Sequence, residues 1–222
     1  MLNQFLPNVK WEKVWEATYE TTYMTGVSVV VTFFLGIILG LLLFLTSKGN
    51  IWGNSILNTI LSGIVNIFRS IPFIILVILL LPFTKVVVGS ILGENAALPA
   101  LIIGSAPFYA RMVELALREV DKGVIEAAKS MGAKTSTIML RVLLPESLPA
   151  LVSGITVTAI ALVGYTAMAG VVGAGGLGDL AYREGFQRNN FEVTIVATIF
   201  ILIIVFIIQF IGDILVKAID KR

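Results

Sequence analysis

The chain has 222 residues, of which 57% are hydrophobic and only 14% are charged. A soluble domain is roughly half apolar and about a quarter charged, so this composition, with a mean hydropathy of +0.96, predicts an all-α polytopic membrane protein. The sequence contains no cysteine and no histidine, which excludes disulfides, thiol nucleophiles and imidazole chemistry. The net charge of +2 says little by itself, and neither a nucleic-acid partner nor a cofactor or metal is expected.

The amino-terminal residues 1–24 are charged and lack the layout of a signal peptide. Their aromatic residues are spaced by four and so form one stripe on a helix; they are Trp11, Trp15, Tyr19 and Tyr23. Aromatic rings favour the headgroup region of a bilayer. Residues 1–24 are therefore predicted to form an amphipathic helix that lies at the membrane interface and runs into the first span. The alternative is an aromatic face that packs on a neighbouring helix.

Five stretches are candidates for membrane spans, each of which needs about 20 apolar residues. Three qualify directly, at 25–45, 150–172 and 193–212. The apolar stretch 70–83 is too short alone, so its helix is predicted to extend back to about Ile60 and to enclose Arg69. The stretch 96–113 carries two prolines, which a span tolerates when neighbouring helices satisfy the freed carbonyls. The prediction is five spans in a single transmembrane domain that covers residues 1–222.

Lysines and arginines near the ends of the spans indicate the orientation, because they are enriched on the cytoplasmic side. Nine lie on the side that holds residues 114–149 and the carboxy terminus, and five lie on the other side. The segment 114–149 is therefore predicted to be cytoplasmic. The amino terminus is predicted to be outside and the carboxy terminus inside.

The segment 114–149 contains a short polar helix. Asp121 can cap its start, and Gly132 is placed to end it. The apolar positions on one face of this helix are Val124, Ala127, Ala128 and Met131. A face rich in alanine allows a close approach, which suits a helix that docks into a groove of a partner protein. The alternative is that this helix folds back on its own spans.

A second short helix is expected after Gly132, over the letters TIMLRVL. Proline lacks a backbone N–H and interrupts a helix interior. Pro145 is therefore predicted to end this second helix, and Pro149 to begin the next span.

The pattern Glu126-Ala127-Ala128, three residues, Gly132, nine residues, Val142, one residue, Leu144-Pro145 resembles the EAA loop of binding-protein-dependent ABC importer permeases. The one departure is a valine where the family has isoleucine. The stretches 66–73, 104–114, 162–178 and 209–213 resemble the methionine-type permeases, which are small five-span members of that family. The resemblance implies a type I ABC importer permease fold in the plasma (inner) membrane. It also implies that the loop couples to a cytoplasmic ATPase, through Val124, Glu126, Ala127, Ala128, Met131, Gly132, Leu144 and Pro145.

Partners and substrate follow from the same resemblance. Five spans with one coupling loop make half of a pathway, so a homodimer around a twofold axis is expected. The other expected partners are two ATP-binding subunits, an extracellular or periplasmic substrate-binding protein, and membrane lipid. The expected substrate is a small amino acid, with methionine first. Glycine betaine or another small solute is the alternative within the family.

Two motifs point elsewhere but lack the required context. The letters GAGGLG at 173–178 match the dinucleotide fingerprint, yet they follow a predicted span instead of a β-strand. No Gly-Lys-Ser/Thr occurs in the chain, so ATP hydrolysis by a P-loop is excluded and the chain is not expected to be an enzyme. Gly36 and Gly40 form GxxxG in the first span, which indicates either a close helix contact or incidental spacing.

Four residues are candidates for the translocation pathway: Arg69, Tyr165, Thr166 and Met168. Arg69 is costly inside a span unless it pairs or reaches water. We hypothesise that it pairs with Glu114 or lines a wet cavity; the alternative is that its side chain extends to the interface. The other three could equally pack ordinary helices. The scarcity of acidic residues in the spans argues against a secondary transporter and against an intramembrane enzyme; a non-transporting assembly subunit is a third alternative.

Overall fold

The computed structural model describes residues 9–50 and 52–220, and all regular secondary structure in those residues is helical. The α-helices are α1 (Trp11–Thr46), α2 (Ser55–Ser70), α3 (Phe73–Val88), α4 (Glu94–Arg118), α5 (Lys122–Ser130), α6 (Thr135–Ile138), α7 (Leu144–Ala169), α8 (Gly176–Leu180) and α9 (Phe191–Ile219). Three π-helical turns lie between them, at Met139–Leu143, Gly170–Ala174 and Ala181–Gln187.

Helix α1 is a single unbroken helix of 36 residues. At 1.5 Å per residue it is about 54 Å long, longer than the roughly 30 Å of a hydrocarbon core. The described part of the predicted interfacial segment 1–24 is therefore collinear with the first span; its first eight residues lie outside the described residues. Trp15 is exposed but its ring meets Phe200 edge-on at 5.4 Å, and Tyr23 donates a hydrogen bond to Asn95 at 2.9 Å. A position at the membrane interface stays a prediction for this segment.

Helix α4 lies at the centre of the bundle and is the most buried of the candidate spans. Helix α1 packs along it, with α2, α3 and α7 on its other sides. The two glycines of the GxxxG motif lie at this contact: a Cβ atom on Gly36 would come within 2.4 Å of Tyr109. A hydrogen bond of 2.7 Å between the hydroxyls of Thr32 and Ser105 adds to the contact. The spacing of Gly36 and Gly40 therefore marks a close helix crossing and is not incidental.

The prediction of one continuous helix from about Ile60 through residue 83 is wrong. Helices α2 and α3 are bent by 108° relative to each other. The physical reason is Pro72, which cannot donate a backbone hydrogen bond and disfavours helical geometry at the preceding residue; Ile71 is extended, with φ −78° and ψ 125°. Arg69 thus lies in the last turn of α2, beside the break.

The described residues contain four helices that are long and apolar enough to cross a membrane, or five if the bent pair α2 and α3 counts as one span. The count of five stays a prediction. Helix α9 is the least buried of these candidates, and most of its large apolar side chains are exposed.

The prediction that Pro145 ends a separate helix and that Pro149 begins the next span is also wrong. Helix α6 continues through the π turn Met139–Leu143 into α7 without a break. Pro145 is the second residue of α7, which directly follows the π turn. Pro149 lies inside α7, so the span-forming helix begins before both prolines.

Candidate substrate cavity and docking segment

The docking segment, residues 114–149, contains helix α5, whose two ends are defined by local hydrogen bonds. The side chain of Asp121 accepts a hydrogen bond from the N–H of Gly123 at 2.6 Å and caps α5. Gly132 follows the helix with φ +77°, and the N–H of Ala133 donates to the carbonyl of Ala128 at 3.1 Å, as in the common glycine-ended helix terminus. Both ends were predicted from the sequence.

The predicted apolar face of α5 is divided between the protein interior and the surface. Ala128 is buried together with Ile125. These two residues contact a core whose other members include Leu117, Val120, Ile138 and Leu143. Val124 is 47% exposed and Met131 81% exposed, and Ala127 is exposed as well. The helix therefore packs on its own bundle through one side and presents three apolar side chains on another.

The other residues of the predicted coupling set lie around α5 and the start of α7. Glu126 is exposed. Leu144 packs partly against the core beneath α5. Pro145 is exposed and lines a cavity of about 540 Å³ between the docking segment and the end of α9. The structure thus brings the predicted set to one end of the bundle.

Glu114 marks the junction between α4 and the docking segment. Its side chain is only 1% exposed, yet it accepts a hydrogen bond from Arg118 at 2.6 Å and a second one from Arg111. The hypothesis that Glu114 pairs with Arg69 is therefore wrong. Arginines three residues before and four residues after a glutamate share its helix face, and this spacing was visible in the sequence.

Arg69 instead lines a cavity of about 290 Å³, which we call the Arg69 cavity. Its lining residues are Phe68, Arg69, Ile71, Phe73, Leu76, Gly104, Phe108 and Tyr165. The guanidinium carbon of Arg69 lies 5.9 Å from the ring centroid of Phe108, within cation–π distance. Arg69 forms no ion pair with a carboxylate in residues 9–50 and 52–220. The second part of the hypothesis, that Arg69 lines a cavity, matches this geometry.

The walls of the Arg69 cavity come from distant parts of the chain. The rings of Phe73 and Tyr165 are stacked, with centroids 4.4 Å apart and planes 7° apart. Gly104 lets α3 approach α4 closely, since a Cβ atom there would lie 3.1 Å from Leu76. The break at Pro72 directs α3 away from α2 and leaves Arg69 beside these aromatic rings. Phe73 and Phe108 were not predicted as site residues, although they lie in the stretches 66–73 and 104–114 that resemble the methionine-type permeases.

The remaining two pathway candidates lie elsewhere. Thr166 is buried and donates its hydroxyl hydrogen bond to the carbonyl of Val163 in its own helix at 2.8 Å. Met168 is exposed on α7. Neither lines the Arg69 cavity. Of the four predicted pathway residues, the structure therefore brings only Arg69 and Tyr165 together.

The opposite end of the bundle holds the glycine-rich segment 173–178. The N–H of Gly176 donates to the carboxylate of Glu20 at 2.6 Å, and the N–H of Leu177 donates to the hydroxyl of Thr21 at 2.8 Å. These bonds attach the segment to α1. The segment follows a helix and a π turn instead of a strand, so it has no dinucleotide-binding geometry.

A polar cluster next to that segment joins α1 to the turn Ala181–Gln187. Lys13 contacts Glu184 at 2.5 Å, and Arg188 contacts the other carboxylate oxygen at 2.6 Å. The hydrogen bond from Lys13 is the main cause that lowers the pKa of the Glu184 carboxyl, and partial burial opposes it. In the described residues no cluster of acidic side chains has the arrangement needed to hold a metal ion.

An all-helical bundle of apolar spans, with one broken helix beside a cavity and a polar docking segment at one end, defines a membrane-embedded transport permease. The profile of the family described as "binding-protein-dependent transport system inner membrane component" matches residues 32–222, and the chain belongs to that family. It is therefore a multi-pass protein of the plasma (inner) membrane.

Relatives and solved structures agree with this membership. The chain is 73% identical to the methionine import system permease protein MetP of Bacillus subtilis over 177 aligned residues, which make up 80% of each chain. It is 47% identical over 177 residues to the probable D-methionine transport system permease protein MetI of Vibrio cholerae, over 80% of this chain and 79% of that one.

The fold is similar to that of a chain in the inward-facing MetNI methionine ABC transporter, with a TM-score of 0.93 and 47% identity over 95% of this chain and 98% of that one. An amino acid ABC transporter solved with histidines shares the fold alone, with a TM-score of 0.76 at 18% identity over 98% and 96% of the two chains. The predicted fold class, an ABC importer permease, is confirmed.

Proposed function

We propose that this chain is the transmembrane permease subunit of an ABC importer that carries methionine into the cell. The observation that carries the proposal is the 73% identity to a methionine import permease over 80% of the chain. The similarity in fold to a methionine ABC transporter supports it.

The docking segment is the part of the permease that meets the ATPase. Val124 and Ala127 of α5 and Met131 directly after it are exposed, and such a group of exposed apolar side chains outside the spans suits a contact with another protein. We assign these three residues, with Glu126 beside them, to the contact with a cytoplasmic ATP-binding subunit. Ala128, Gly132, Leu144 and Pro145 hold the contact in place. The energy for transport then comes from ATP hydrolysis on that separate subunit.

A second copy of the permease completes the pathway. Helix α2 carries a row of exposed apolar side chains at helical spacing, formed by Ile56, Ile60, Ile64 and Ile67. Such a row needs lipid or another protein surface. A homodimer around a twofold axis places two docking segments on two ATPase subunits, and lipid covers the outer helices such as α9.

The charge distribution supports an orientation with segment 114–149 in the cytoplasm and the amino terminus outside. A substrate-binding protein then approaches from the outer side and contacts the segments 82–95 and 173–192, which include helix ends and the short helix α8. The chain works by alternating access: nucleotide binding moves the docking segments and shifts the spans from inward-open to outward-open. A shift of such an equilibrium from 1:99 to 99:1 takes about 5.5 kcal/mol of differential binding.

Arg69 and Tyr165 are the pathway residues that geometry supports best, because they share one cavity between α2, α3, α4 and α7. Thr166 and Met168 take part only if the spans rearrange during transport. The residues 1–24 form the outer end of this single permease domain.

The test is ATP-driven uptake of labelled methionine into vesicles that contain this chain, its ATPase and its binding protein. We expect uptake only when ATP is present on the side of the membrane where the ATPase lies. Excess unlabelled methionine should abolish this uptake. Uptake of labelled glycine betaine with none of methionine would contradict the proposed substrate.

A further inference from the structure

The Arg69 cavity contains one charged group, and half of its lining residues are aromatic. Among its eight lining residues, Arg69 is the only charged one, and none is acidic. The hydroxyl of Tyr165 is the other polar side-chain group. The volume, about 290 Å³, is at the lower end of small-molecule sites, which span roughly 300–1,000 Å³. A single small molecule fits this space, and a peptide does not.

The guanidinium of Arg69 is available to an anion. Three acidic residues form ion pairs in the described part of the chain, namely Glu114, Asp179 and Glu184; each is bound by other cations, and none contacts Arg69. The ring of Phe108 at 5.9 Å stabilises the cation only partly. A guanidinium can bind both oxygens of a carboxylate at once, which is its strongest hydrogen-bonding arrangement.

The rest of the wall suits an unbranched apolar chain. The stacked rings of Phe73 and Tyr165 hold each other in position, and Phe108, Ile71 and Leu76 complete an apolar surface. Aromatic rings make favourable contacts with a thioether sulfur at about 5 Å. The cavity therefore offers a cation for a carboxylate and an apolar wall for a thioether or alkyl tail.

We propose that the Arg69 cavity is a binding site for small apolar monocarboxylates that recognises the carboxylate and the tail but not the ammonium group. The proposal rests on the proposed function, since the ligand is the transported substrate. No carboxylate lines the cavity to neutralise an ammonium group. The site therefore binds methionine and its des-amino analogue, 4-(methylthio)butanoic acid, alike, and rejects methioninol, in which an alcohol replaces the carboxylate.

A cysteine reporter tests this directly, because the chain contains no cysteine of its own. Ile71→Cys places a thiol in the cavity wall just after the end of α2, and Ile67→Cys places one on α2 outside the cavity. The rate of maleimide labelling of this chain is measured in the purified permease–ATPase complex without binding protein. Methionine, 4-(methylthio)butanoic acid and methioninol are each titrated.

We expect both carboxylates to slow labelling of Ile71→Cys with similar half-saturation, and neither to affect Ile67→Cys. Methioninol needs at least about a tenfold higher concentration, the effect of losing a charge-assisted hydrogen bond. Adding Arg69→Gln weakens protection by the carboxylates by at least about tenfold. Arg69→Lys weakens it less, and Lys48→Gln, which removes a cation far along the chain from the cavity, leaves it unchanged.

Protection by methioninol equal to that by methionine would overturn the inference, as would full protection by the carboxylates in Arg69→Gln. Protection that requires added anionic phospholipid, with no effect of the carboxylates, would assign the guanidinium to a lipid headgroup and overturn it too. If vesicles take up methionine but no ligand protects Ile71→Cys, the inference fails and the proposed function stands. If the carboxylates protect but methionine is not taken up, the proposed function fails and the cavity assignment stands.

Discussion

Gly40 of α1 lies so close to Val113 of α4 that a Cβ atom on Gly40 would come within 2.5 Å of the Cβ of Val113. The same atom would lie 2.7 Å from the carbonyl oxygen of Ala110, which is backbone and cannot rotate away. The two central helices of the bundle therefore pack at a distance that only glycine permits.

We expect Gly40→Ala to lower the free energy of unfolding by about 1–3 kcal/mol, the usual cost of overpacking. The measurement is the unfolding midpoint of the purified permease in detergent. Gly26→Ala is the matched control, since Gly26 is on the same helix and has nothing within 4 Å of an added Cβ atom. Equal destabilisation by both substitutions would contradict the role of the close crossing.

Because the carboxylate of Glu114 is buried, we expect its removal to lower the stability of the protein less than the removal of its two arginine partners. Glu114→Gln leaves two arginines that are 31% and 52% exposed and can be solvated. The double substitution Arg111→Gln and Arg118→Gln leaves a buried, unpaired carboxylate, which typically costs about 3–5 kcal/mol. We expect the double variant to unfold at clearly lower denaturant than Glu114→Gln. A double variant as stable as Glu114→Gln would show that the carboxylate does not need its partners.

The cluster of Lys13, Glu184 and Arg188 predicts a dependence of stability on pH. The pKa of the Glu184 carboxyl is below its ordinary value of 4.5, mainly because Lys13 donates a hydrogen bond to it. The ionised carboxylate therefore stabilises the folded state above about pH 4.5, and this contribution is lost as pH falls through the lowered pKa.

We expect the melting temperature of the wild type to fall on acidification from about pH 6 to about pH 3.5, and that of Glu184→Gln to start lower and fall less. Glu16→Gln, which removes an exposed carboxylate of α1, should keep the pH slope of the wild type. Parallel slopes for the wild type and Glu184→Gln would rule out this contribution.

The positive φ of Gly132 predicts a local effect in the docking segment. A residue with a Cβ atom costs about 1–2 kcal/mol in the left-handed region, although nothing within 4 Å blocks an added Cβ atom there. We expect Gly132→Ala to increase amide hydrogen exchange over residues 122–133 and to reduce ATP-driven uptake. Gly63→Ala is the control: Gly63 is inside α2 with free space around it, and alanine favours a helix. Unchanged exchange in Gly132→Ala would contradict the strain argument.

Features with a local cause could be predicted from the sequence. Asp121 and Gly132 delimit α5 through hydrogen bonds and backbone geometry that involve only nearby residues, so their positions were predicted correctly. Proline shows the limit of local rules. Pro72 breaks a helix, whereas Pro145 lies in the first turn of α7 after a π turn, and only the whole structure distinguishes the two settings.

Features that depend on tertiary packing could not be predicted. Ala127 and Ala128 are equivalent in periodicity, but only Ala128 meets the core of the bundle, because the position of α5 on that core decides which side is buried. The stacking of Phe73 on Tyr165 joins residues far apart in sequence, and no local pattern indicates it. Arg69 and Tyr165 were predicted separately as pathway residues, whereas their shared cavity and its other aromatic residues were not predicted.

Residues 135–169 run without a break through α6, the π turn and α7. At 1.5 Å per residue this is a stiff rod of roughly 50 Å. One end adjoins α5, and the far end carries Tyr165 in the wall of the Arg69 cavity. We expect this rod to act as a lever, in which a displacement of the docking segment turns the aromatic wall at the other end, with the π turn at Met139–Leu143 as an irregular joint.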